Sequence, residues 1–399
     1  MKYLVLIPDG AADHHCPELG GKTPLEAAAT PNLDRLARTG SLGTVRTIPA
    51  GFPPGSDVAN LCVLGYDPNL FYTGRAPLEA ASLGIDLGPE DVAFRCNLVF
   101  VENGVMRDFT AGHISSGEAA ALIGRLQEQI GGEDASFFPG LSYRHLMVSP
   151  GRGLKAECTP PHDITGKPIA SYLPRGEDGD WLLQLMQASA PLLQSHLVNR
   201  KRESEGKAPA TMIWLWGQGT APRLPRFEER FSLSGSVISA VDLVKGLGKY
   251  AGLEVISVPG ATGYLDTDYR AKAVHALLAL ERSDFVYVHV EAPDEAAHMG
   301  NTAEKVRAIE RFDRDVVGTL LNEMPFGHNY RIMVLPDHAT PVELRTHTAE
   351  PVPFLIYRPG LPGNPAQAFD EESAARWGLM LERGWDLMQK FISGDPELA

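Results

Sequence analysis

Cysteine is scarce in this chain of 399 residues, which contains four cysteines and no Cys-x-x-Cys pair. Small disulfide-stabilised folds need a denser framework of cysteines, and structural zinc sites usually need closely spaced thiolates. Both are therefore excluded as the basis of the fold. Isolated cysteines are typical of reduced thiols, so we expect a cytoplasmic protein.

Long hydrophobic runs and positive charge are also in short supply. No apolar run is long enough to cross a bilayer, and the formal net charge is −14. An acidic chain is repelled by nucleic acids and anionic lipids, so we expect no nucleic acid and no membrane as partners. The sequence also lacks a Walker A loop and the glycine-rich loop of protein kinases. A small molecule is the expected partner.

Short apolar runs alternate with helical patterns through most of the chain. Three of them predict buried strands at Tyr3–Ile7, Asp284–Val290 and Arg331–Leu335. This alternation predicts an α/β fold with a mostly parallel sheet that carries helices on both faces. Residues from about 70 to 170 hold short alternating strands and one helix instead, which predicts an inserted, smaller α+β domain. We place the core at 1–68 and 171–399, and the insert at 69–170.

Acidic and histidine side chains follow the ends of the three predicted strands. Asp294 and His298 are four residues apart, so a helix that begins after Pro293 presents both on one face. Aspartate, histidine and a serine oxygen together suit Mn²⁺ or Zn²⁺, and two such ions stabilise the attacking and leaving oxygens of a phosphoryl transfer. The candidate metal ligands are Asp9, Ser56, Asp294, His298, Asp337, His338 and His347.

Ser56 lies between Gly55 and Asp57, directly after the turn at 51–54 and before the apolar run at 61–64. A hydroxyl at the start of a helix is a common position for a nucleophile, because the free N–H groups of the helix start can bind an anion. A serine in this place is also an ordinary N-cap. The distant carboxylates and histidines favour the nucleophile.

Eight motifs resemble those of one family, and the resemblance runs over nearly the whole chain. They are Ile-Pro-Asp-Gly at 7–10, Pro-Pro-Gly-Ser-Asp-Val-Ala-Asn at 53–60, Tyr-Thr-Gly-Arg-Ala-Pro-Leu-Glu at 72–79, Phe-Arg-Cys-Asn-Leu at 94–98, Ser-Tyr-Arg-His-Leu at 142–146, Pro-Pro-His-Asp-Ile at 160–164, Glu-Ala-Pro-Asp-Glu-Ala-Ala-His at 291–298 and Leu-Arg-Thr-His-Thr at 344–348. With these motifs the sequence resembles the archaeal-type cofactor-independent phosphoglycerate mutases of the alkaline phosphatase superfamily.

The resemblance implies an alkaline-phosphatase-like core and an isomerase of glycolysis and gluconeogenesis that interconverts 2- and 3-phosphoglycerate without 2,3-bisphosphoglycerate. It implies that Ser56 becomes phosphoserine. It also implies two metal sites, one formed by Asp9, Ser56, Asp337 and His338, the other by Asp294, His298 and His347. The family's insert closes over the substrate, and the residues expected to bind it here are Arg75, Arg95, His113, Arg144, His145 and His162.

Several alternatives stay open at this point. The residue that transfers the proton is Asp108, His113 or His162, because the Arg-Asp pair of the longer bacterial and plant form is replaced by Ala-Gly-His-Ile at 111–114. The resemblance also allows phosphoryl transfer to another acceptor such as homoserine, or phosphatase activity. A metal-binding sensor without catalysis is a further alternative. The choice between Mn²⁺ and Zn²⁺, and a homodimer, are left open.

Overall fold

The computed structural model describes residues 1–325, 327, 329–360, 366–376 and 379–395. The strands are β1 (Lys2–Pro8), β2 (Ser41–Val45), β3 (Asp91–Glu102), β4 (Val105–Asp108), β5 (Ser136–Phe138), β6 (Arg144–Pro150), β7 (Ala156–Glu157), β8 (Arg175–Gly176), β9 (Met212–Thr220), β10 (Gly235–Ile238), β11 (Glu254–Val255), β12 (Phe285–Val290), β13 (Tyr330–Val334), β14 (Val352–Tyr357) and β15 (Met380–Leu381).

Helices follow most of these strands. They are α1 (Pro24–Ala27), α2 (Pro31–Thr39), α3 (Ser56–Val63), α4 (Pro68–Phe71), α5 (Ala76–Ser82), α6 (Ser116–Ile130), α7 (Gly179–Ser195), α8 (Leu197–Ser204), α9 (Phe227–Phe231), α10 (Asp242–Tyr250), α11 (Tyr269–Arg282), α12 (Ala292–His298), α13 (Thr302–Arg311), α14 (Gly318–Glu323), α15 (Glu371–Arg376) and α16 (Asp386–Ser393). Three short 3₁₀ turns lie at 17–19, 161–164 and 169–172, and a π-helical segment at 312–317 joins α13 to α14.

The first unit, Met1–Tyr72 with Arg223–Ala399, contains an eight-stranded sheet in the order β11-β10-β12-β1-β13-β14-β2-β15. Strand β14 runs antiparallel to both of its neighbours, and the other pairs are parallel. The three predicted strands are confirmed as β1, β12 and β13, which lie side by side. The predicted α/β class with a mostly parallel sheet is therefore confirmed.

Strand β1 is buried on both faces, which explains its continuous apolar sequence. Leu4 and Leu6 belong to the large apolar cluster that they form with α2, α11 and α13. On the other face, the ring of Tyr3 packs edge-on against Phe391 of α16 at 5.7 Å. Helices thus cover both faces of this sheet.

Replacing Leu4 by alanine is expected to lower the free energy of unfolding by about 2–5 kcal/mol, because a fully buried leucine leaves a cavity when it is truncated. Urea denaturation of the variant measures this loss. The matched control is Leu278→Ala in α11, where the side chain is 50% exposed and the expected change is within about 0.5 kcal/mol. Equal losses in the two variants would contradict the assignment of β1 to the core.

The second unit, Thr73–Pro222, contains a separate antiparallel sheet in the order β4-β3-β6-β5, with β9 paired to β3. The predicted α+β character of the insert agrees with this sheet. Its extent differs from the predicted 69–170, because 69–72 belong to the first unit and 171–222 belong to this one. The physical reason is a long-range pairing: β9 runs antiparallel to β3 from Val99 to Val92, and the indole of Trp214 donates to the carbonyl of Thr159 at 2.8 Å.

Two helix predictions also change in detail. The amphipathic pattern of 302–323 predicts one long helix, which is confirmed, but it contains the π-helical segment. The sequence of 370–391 predicts a single closing helix, and this prediction is wrong, because α15, the short strand β15 and α16 occupy the stretch. Residues 377 and 378 of that prediction lie outside the described residues. Within the described ranges, no helix combines the length and the apolar character needed to span a membrane.

Candidate active site

The carboxyl ends of β1, β12 and β13 bring three aspartates of the first unit together. Asp9 follows β1, Asp294 lies in α12 just after β12, and Asp337 follows β13. The residues are 4%, 8% and 0% exposed. Because the carboxyl ends of neighbouring parallel strands meet at one edge of a sheet, the order β12-β1-β13 places these charges side by side.

Asp294, His298 and His347 form the first group of candidate ligands. Nε2 of His298 lies 3.1 Å from Oδ2 of Asp294, and Nε2 of His347 lies 3.6 Å from Oδ1. The two ring nitrogens are 3.0 Å apart. Asp294 and His298, four residues apart on α12, therefore lie close to the distant His347.

The hydrogen bonds of His298 fix which of its nitrogens faces this group. Its Nδ1 lies 2.9 Å from the carbonyl oxygen of Arg345, so Nδ1 carries the proton and Nε2 has a lone pair. That lone pair, a second imidazole and a carboxylate then face one another, which is unfavourable unless a cation joins them. In metal-free protein a proton fills this role: burial alone lowers the pKa of His298, but Asp294 outweighs it and raises the pKa to about 9.

Ser56, Asp9, Asp337 and His338 form the second group. The hydroxyl of Ser56, the first residue of α3, lies 3.0 Å from Nε2 of His338. The same nitrogen is 3.6 Å from Oδ1 of Asp9 and 3.5 Å from Oδ2 of Asp337. The structure thus brings together, within the first unit, all seven residues that the sequence analysis predicts as metal ligands.

Thr340 orients His338 and links the two groups. Its hydroxyl donates to Oδ1 of Asp294 at 2.6 Å and lies 3.1 Å from Nδ1 of His338. A hydroxyl has one proton, so this contact requires Nδ1–H of His338 to donate to the threonine oxygen. The lone pair of His338 is therefore on Nε2, where it faces Ser56. Burial agrees with a neutral ring, since it lowers the pKa of His338 to about 4.

Asp337 is held by three donors. It accepts the amide nitrogen of Asn60 at 2.7 Å and the backbone N–H groups of Gly10 and His338 at 3.2 and 3.0 Å. Asn60 also donates to the carbonyl oxygen of Ser56 at 2.8 Å, so α3 and β13 are tied together at the site. Gly10 is required here: its φ is +60°, and a Cβ would lie 2.5 Å from a carboxylate oxygen of Asp294.

The charge balance of the site fits a bound cation. Asp9 is buried beside Asp337 and Asp294, and burial, followed by these two neighbours, raises its pKa well above the usual range. Its Oδ1 has no hydrogen-bond partner among the described residues, although it is buried. Carboxylate oxygens, imidazole nitrogens and a serine oxygen are donors that Zn²⁺ and Mn²⁺ accept. The two groups of residues therefore fit divalent metal ions.

Sequence reasoning missed three polar residues that adjoin this cluster, namely Asn60, Thr340 and His289. His289 is fully buried, and its Nε2 lies 3.4 Å from Oδ2 of Asp9. Burial alone lowers the pKa of His289, but Asp337 and Glu291 outweigh it and raise the pKa to about 9. The available signal was a polar residue inside the apolar run of β12, two residues before Glu291.

In the second unit, Arg75 and Arg95 meet on one carboxylate. The Nε atoms of Arg75 and Arg95 lie 3.5 and 3.1 Å from the two carboxylate oxygens of Glu79. The guanidinium of Arg95 stacks on the ring of Trp216 at 4.4 Å. Burial lowers the pKa of Arg95 to about 10, although Glu79 opposes this shift. Glu79 and Trp216 were not singled out in the sequence.

The other residues predicted to bind the substrate do not all lie on the face of the sheet that carries Arg95. In the β3–β6 ladder, Arg144 lies opposite Asn97 and His145 lies opposite Cys96. Because side chains alternate along a strand, Arg144 shares the face of Arg95, whereas His145 is on the opposite face. His145 is buried, accepts the N–H of Gly140 at 2.9 Å, and has its pKa lowered by burial to about 4.

His162 packs on Trp216, with ring centroids 5.2 Å apart, and therefore adjoins the Arg95 cluster. His113 is exposed at the end of the turn at 109–113, which follows Asp108 of β4. There Asp108 accepts the N–H groups of Thr110 and Gly112 at 2.7 and 2.8 Å. Of the three candidates for proton transfer, His162 alone contacts the aromatic residue beneath Arg95.

The fold and the site define an α/β protein with a buried aspartate–histidine cluster beside a serine hydroxyl. The family model for 2,3-bisphosphoglycerate-independent phosphoglycerate mutase matches residues 37–199. A protein of that name from Methanosarcina acetivorans is 52% identical over 395 residues, covering 98% of this chain and 100% of the relative. A probable mutase of the same name from Geobacter sulfurreducens is 52% identical, covering 98% and 100%.

Two solved structures are also similar to this chain. A protein of Pyrococcus horikoshii is 32% identical with a TM-score of 0.83, over 98% of this chain and 97% of the other. The cofactor-independent phosphoglycerate mutase of Thermoplasma acidophilum is 27% identical with a TM-score of 0.66, over 98% and 99%. The chain therefore belongs to the 2,3-bisphosphoglycerate-independent phosphoglycerate mutase family, a family of isomerases, and the family predicted from the motifs is confirmed.

Proposed function

We propose that this protein interconverts 2- and 3-phosphoglycerate through a phosphoserine on Ser56, without 2,3-bisphosphoglycerate. The observation that carries the proposal is the contact of the Ser56 hydroxyl with Nε2 of His338, at 3.0 Å, inside a cluster of three buried aspartates. A serine that only caps the start of a helix does not require a histidine and three buried aspartates nearby. The choice of phosphoglycerate as the substrate is based on the names of the relatives.

The chain's own residues prepare the serine for attack. Because Thr340 fixes the proton of His338 on Nδ1, the lone pair of Nε2 accepts the Ser56 hydroxyl in the metal-free protein and would face the ion that fits this group of residues. Asn60 holds the Ser56 carbonyl and Asp337 together, so the hydroxyl has a fixed direction. The N–H groups at the start of α3 are available to an anionic phosphoryl group.

Two divalent metal ions fit the site, one held by Asp9, Ser56, Asp337 and His338, the other by Asp294, His298 and His347. When bound, such ions supply positive charge that lowers the pKa of a serine hydroxyl and stabilises the oxygens of a transferring phosphoryl group. The glycerate must stay bound while the phosphoryl group is on the serine, so that the other hydroxyl can receive it. Water must be excluded in the same interval, or the phosphoserine is hydrolysed.

We assign Arg75 and Arg95 to the anionic groups of the substrate. Glu79 lies against the Nε atoms of both guanidinium groups, and we assign the terminal nitrogens of both arginines to a carboxylate of the substrate. Arg144 and His162 extend the same cluster. His145 does not join this assignment, because it lies on the other face of the sheet.

Initial rates with 3-phosphoglycerate and Mn²⁺ test the proposal. The assay follows 2-phosphoglycerate and free phosphate in parallel, with and without 2,3-bisphosphoglycerate. Isomer formation that needs no bisphosphoglycerate, with little free phosphate, is the expected result. Free phosphate released as fast as isomer would indicate a phosphatase. A metal-loaded protein without turnover would contradict the proposal, and homoserine with ATP would then be assayed.

Replacing Arg75 by methionine is expected to raise the KM for 3-phosphoglycerate about 10- to 100-fold, because a hydrogen bond to a charged group contributes about 1.5–3 kcal/mol. Metal content is expected to stay unchanged. The matched control is Arg107→Met in the same unit, where the arginine pairs with Glu102 at 3.3 Å on the surface. A KM that rises equally in both variants would contradict the assignment.

A further inference from the structure

A buried histidine lies directly behind the carboxylates of the second ligand group. His289 is the fifth residue of β12 and pairs in register with Ile7 of β1, two residues before Asp9. It is 0% exposed, and its two ring nitrogens face carboxylates on opposite sides. A fully buried titratable ring between acidic groups needs a reason beyond packing.

One side of the ring faces Glu291. Nδ1 of His289 lies 3.4 Å from Oε1 of Glu291. On the other side, Nε2 lies 3.4 Å from Oδ2 of Asp9 and 3.9 Å from Oδ2 of Asp337. The ring thus stands between an outer carboxylate and the carboxylates of the metal-type cluster.

The carboxylate of Glu291 accepts four hydrogen bonds. Its Oε1 accepts the hydroxyl of Ser239 at 2.9 Å and the backbone N–H groups of Ala240 and Val241 at 2.7 and 3.2 Å. Its Oε2 accepts the ammonium group of Lys272 at 2.5 Å, and that lysine is itself completely buried. These four donors therefore fix the position of the Glu291 carboxylate beside the His289 ring.

Asp9 and Asp337 are held in different ways. Asp337 has three hydrogen-bond donors of its own. Asp9 has Oδ2 towards His289, while its buried Oδ1 is without a hydrogen-bond partner in the described part of the chain and lies 3.6 Å from Nε2 of His338. The Asp9 carboxylate thus has Oδ2 on the side of the His289 ring and Oδ1 on the side of His338, without a hydrogen bond to either ring.

We propose that His289 is a positioning residue for the metal centre: Glu291 and Lys272 fix its ring, and the ring turns Asp9 so that Oδ1 is presented to the divalent ion. This inference rests on the metal sites of the proposed function. It assigns an orienting task to three buried side chains that neither touch the substrate nor belong to the seven candidate ligands. Partners of this kind typically change metal affinity 10- to 100-fold.

Calorimetric titration of metal-free protein with Zn²⁺ tests the inference. In His289→Gln, the site that includes Asp9 is expected to bind Zn²⁺ 10- to 100-fold more weakly, while the site of Asp294 keeps its affinity. The same titration in a His347→Ala background identifies which step belongs to which site. The control is His275→Gln, a histidine of α11 whose Nδ1 contacts the carbonyl of Ala271 at 2.8 Å, and both steps are expected to stay unchanged.

A second variant separates positioning from a general structural role. Glu291→Gln is expected to weaken the same site, and the double variant is expected to be no weaker than His289→Gln alone, because the two residues act in series. Equal weakening of both sites, together with a lower Tm in metal-free protein, would show that His289 only supports the fold. Unchanged affinity at both sites would also overturn the inference.

X-ray absorption of the fully Zn²⁺-loaded protein distinguishes positioning from ligation, since Asp9, His289 and Asp337 are close enough to share an ion. The number of imidazole ligands per protein is expected to be equal in wild type and His289→Gln. A count lower by one would overturn the inference and make His289 a ligand. A wild type that binds fewer than two ions would contradict the proposed function instead.

Discussion

Replacing Ser56 by alanine is expected to reduce turnover at least about 10⁴-fold, because the variant has no hydroxyl to accept the phosphoryl group. The fold is expected to survive, since Ser56 is half-buried and its neighbour Asn60 still binds Asp337 through its side chain. A coupled assay with 3-phosphoglycerate measures the loss. A Tm within a few degrees of wild type shows that the loss is chemical.

The same variant removes the covalent intermediate. Rapid acid quenching of wild type with ³²P-labelled substrate is expected to leave label on the peptide that contains Ser56, and none in Ser56→Ala. The control is Ser195→Ala. This serine lies at the end of α7, and its hydroxyl donates to the carbonyl oxygen of Pro191 in the same helix at 2.9 Å. Residual turnover above about 1% of wild type in Ser56→Ala would contradict a serine nucleophile.

Removal of divalent ions by a chelator is expected to abolish turnover and to lower the Tm by several degrees. Without cations, Asp9, Asp294 and Asp337 repel one another in a buried site, as the raised pKa of Asp9 indicates. A ligand present at 100 to 1,000 times its Kd stabilises the folded state by about 2.7–4.1 kcal/mol. Calorimetry and the isomerase assay measure both effects on one sample.

Re-addition separates metal binding from damage by the chelator. Mn²⁺ or Zn²⁺ is expected to restore both the Tm and turnover, and Asp337→Asn is expected to lose both responses, because Asp337 is the most deeply buried of the three carboxylates. A chelated protein that retains full activity would contradict the proposed metal centre. The ion that restores turnover at the lower concentration identifies the preferred metal.

The ligand cluster could be predicted from the sequence because its determinants are local. Asp9 and Asp337 directly follow buried strands, and carboxyl ends of parallel strands meet at one edge. Asp294 and His298 are separated by one helical turn. Ser56 was marked by the turn before it and the helix start behind it. No local rule joins His347 to Asp294 and His298, and the resemblance to the family supplied that grouping.

The remaining features depend on pairings between distant segments. Strand β9 was assigned to the core by its position in the sequence, but it pairs with β3 more than 110 residues earlier. The face on which His145 lies depends on the register of β6 against β3, and a shift of one residue reverses it. His289 was read as part of a buried strand, because its acidic partners are apparent only once β1 and β12 are side by side.

The central claim is that the phosphoryl group passes through Ser56 and returns to the same glycerate. Its most direct test is an isotope-crossover experiment with equal amounts of unlabelled 3-phosphoglycerate and 3-phosphoglycerate that carries ¹⁸O in the phosphoryl group and ¹³C in the glycerate. Mass spectrometry of early 2-phosphoglycerate is expected to find molecules with both labels or with neither. Product molecules that carry only one label would show exchange between glycerates and would contradict the account.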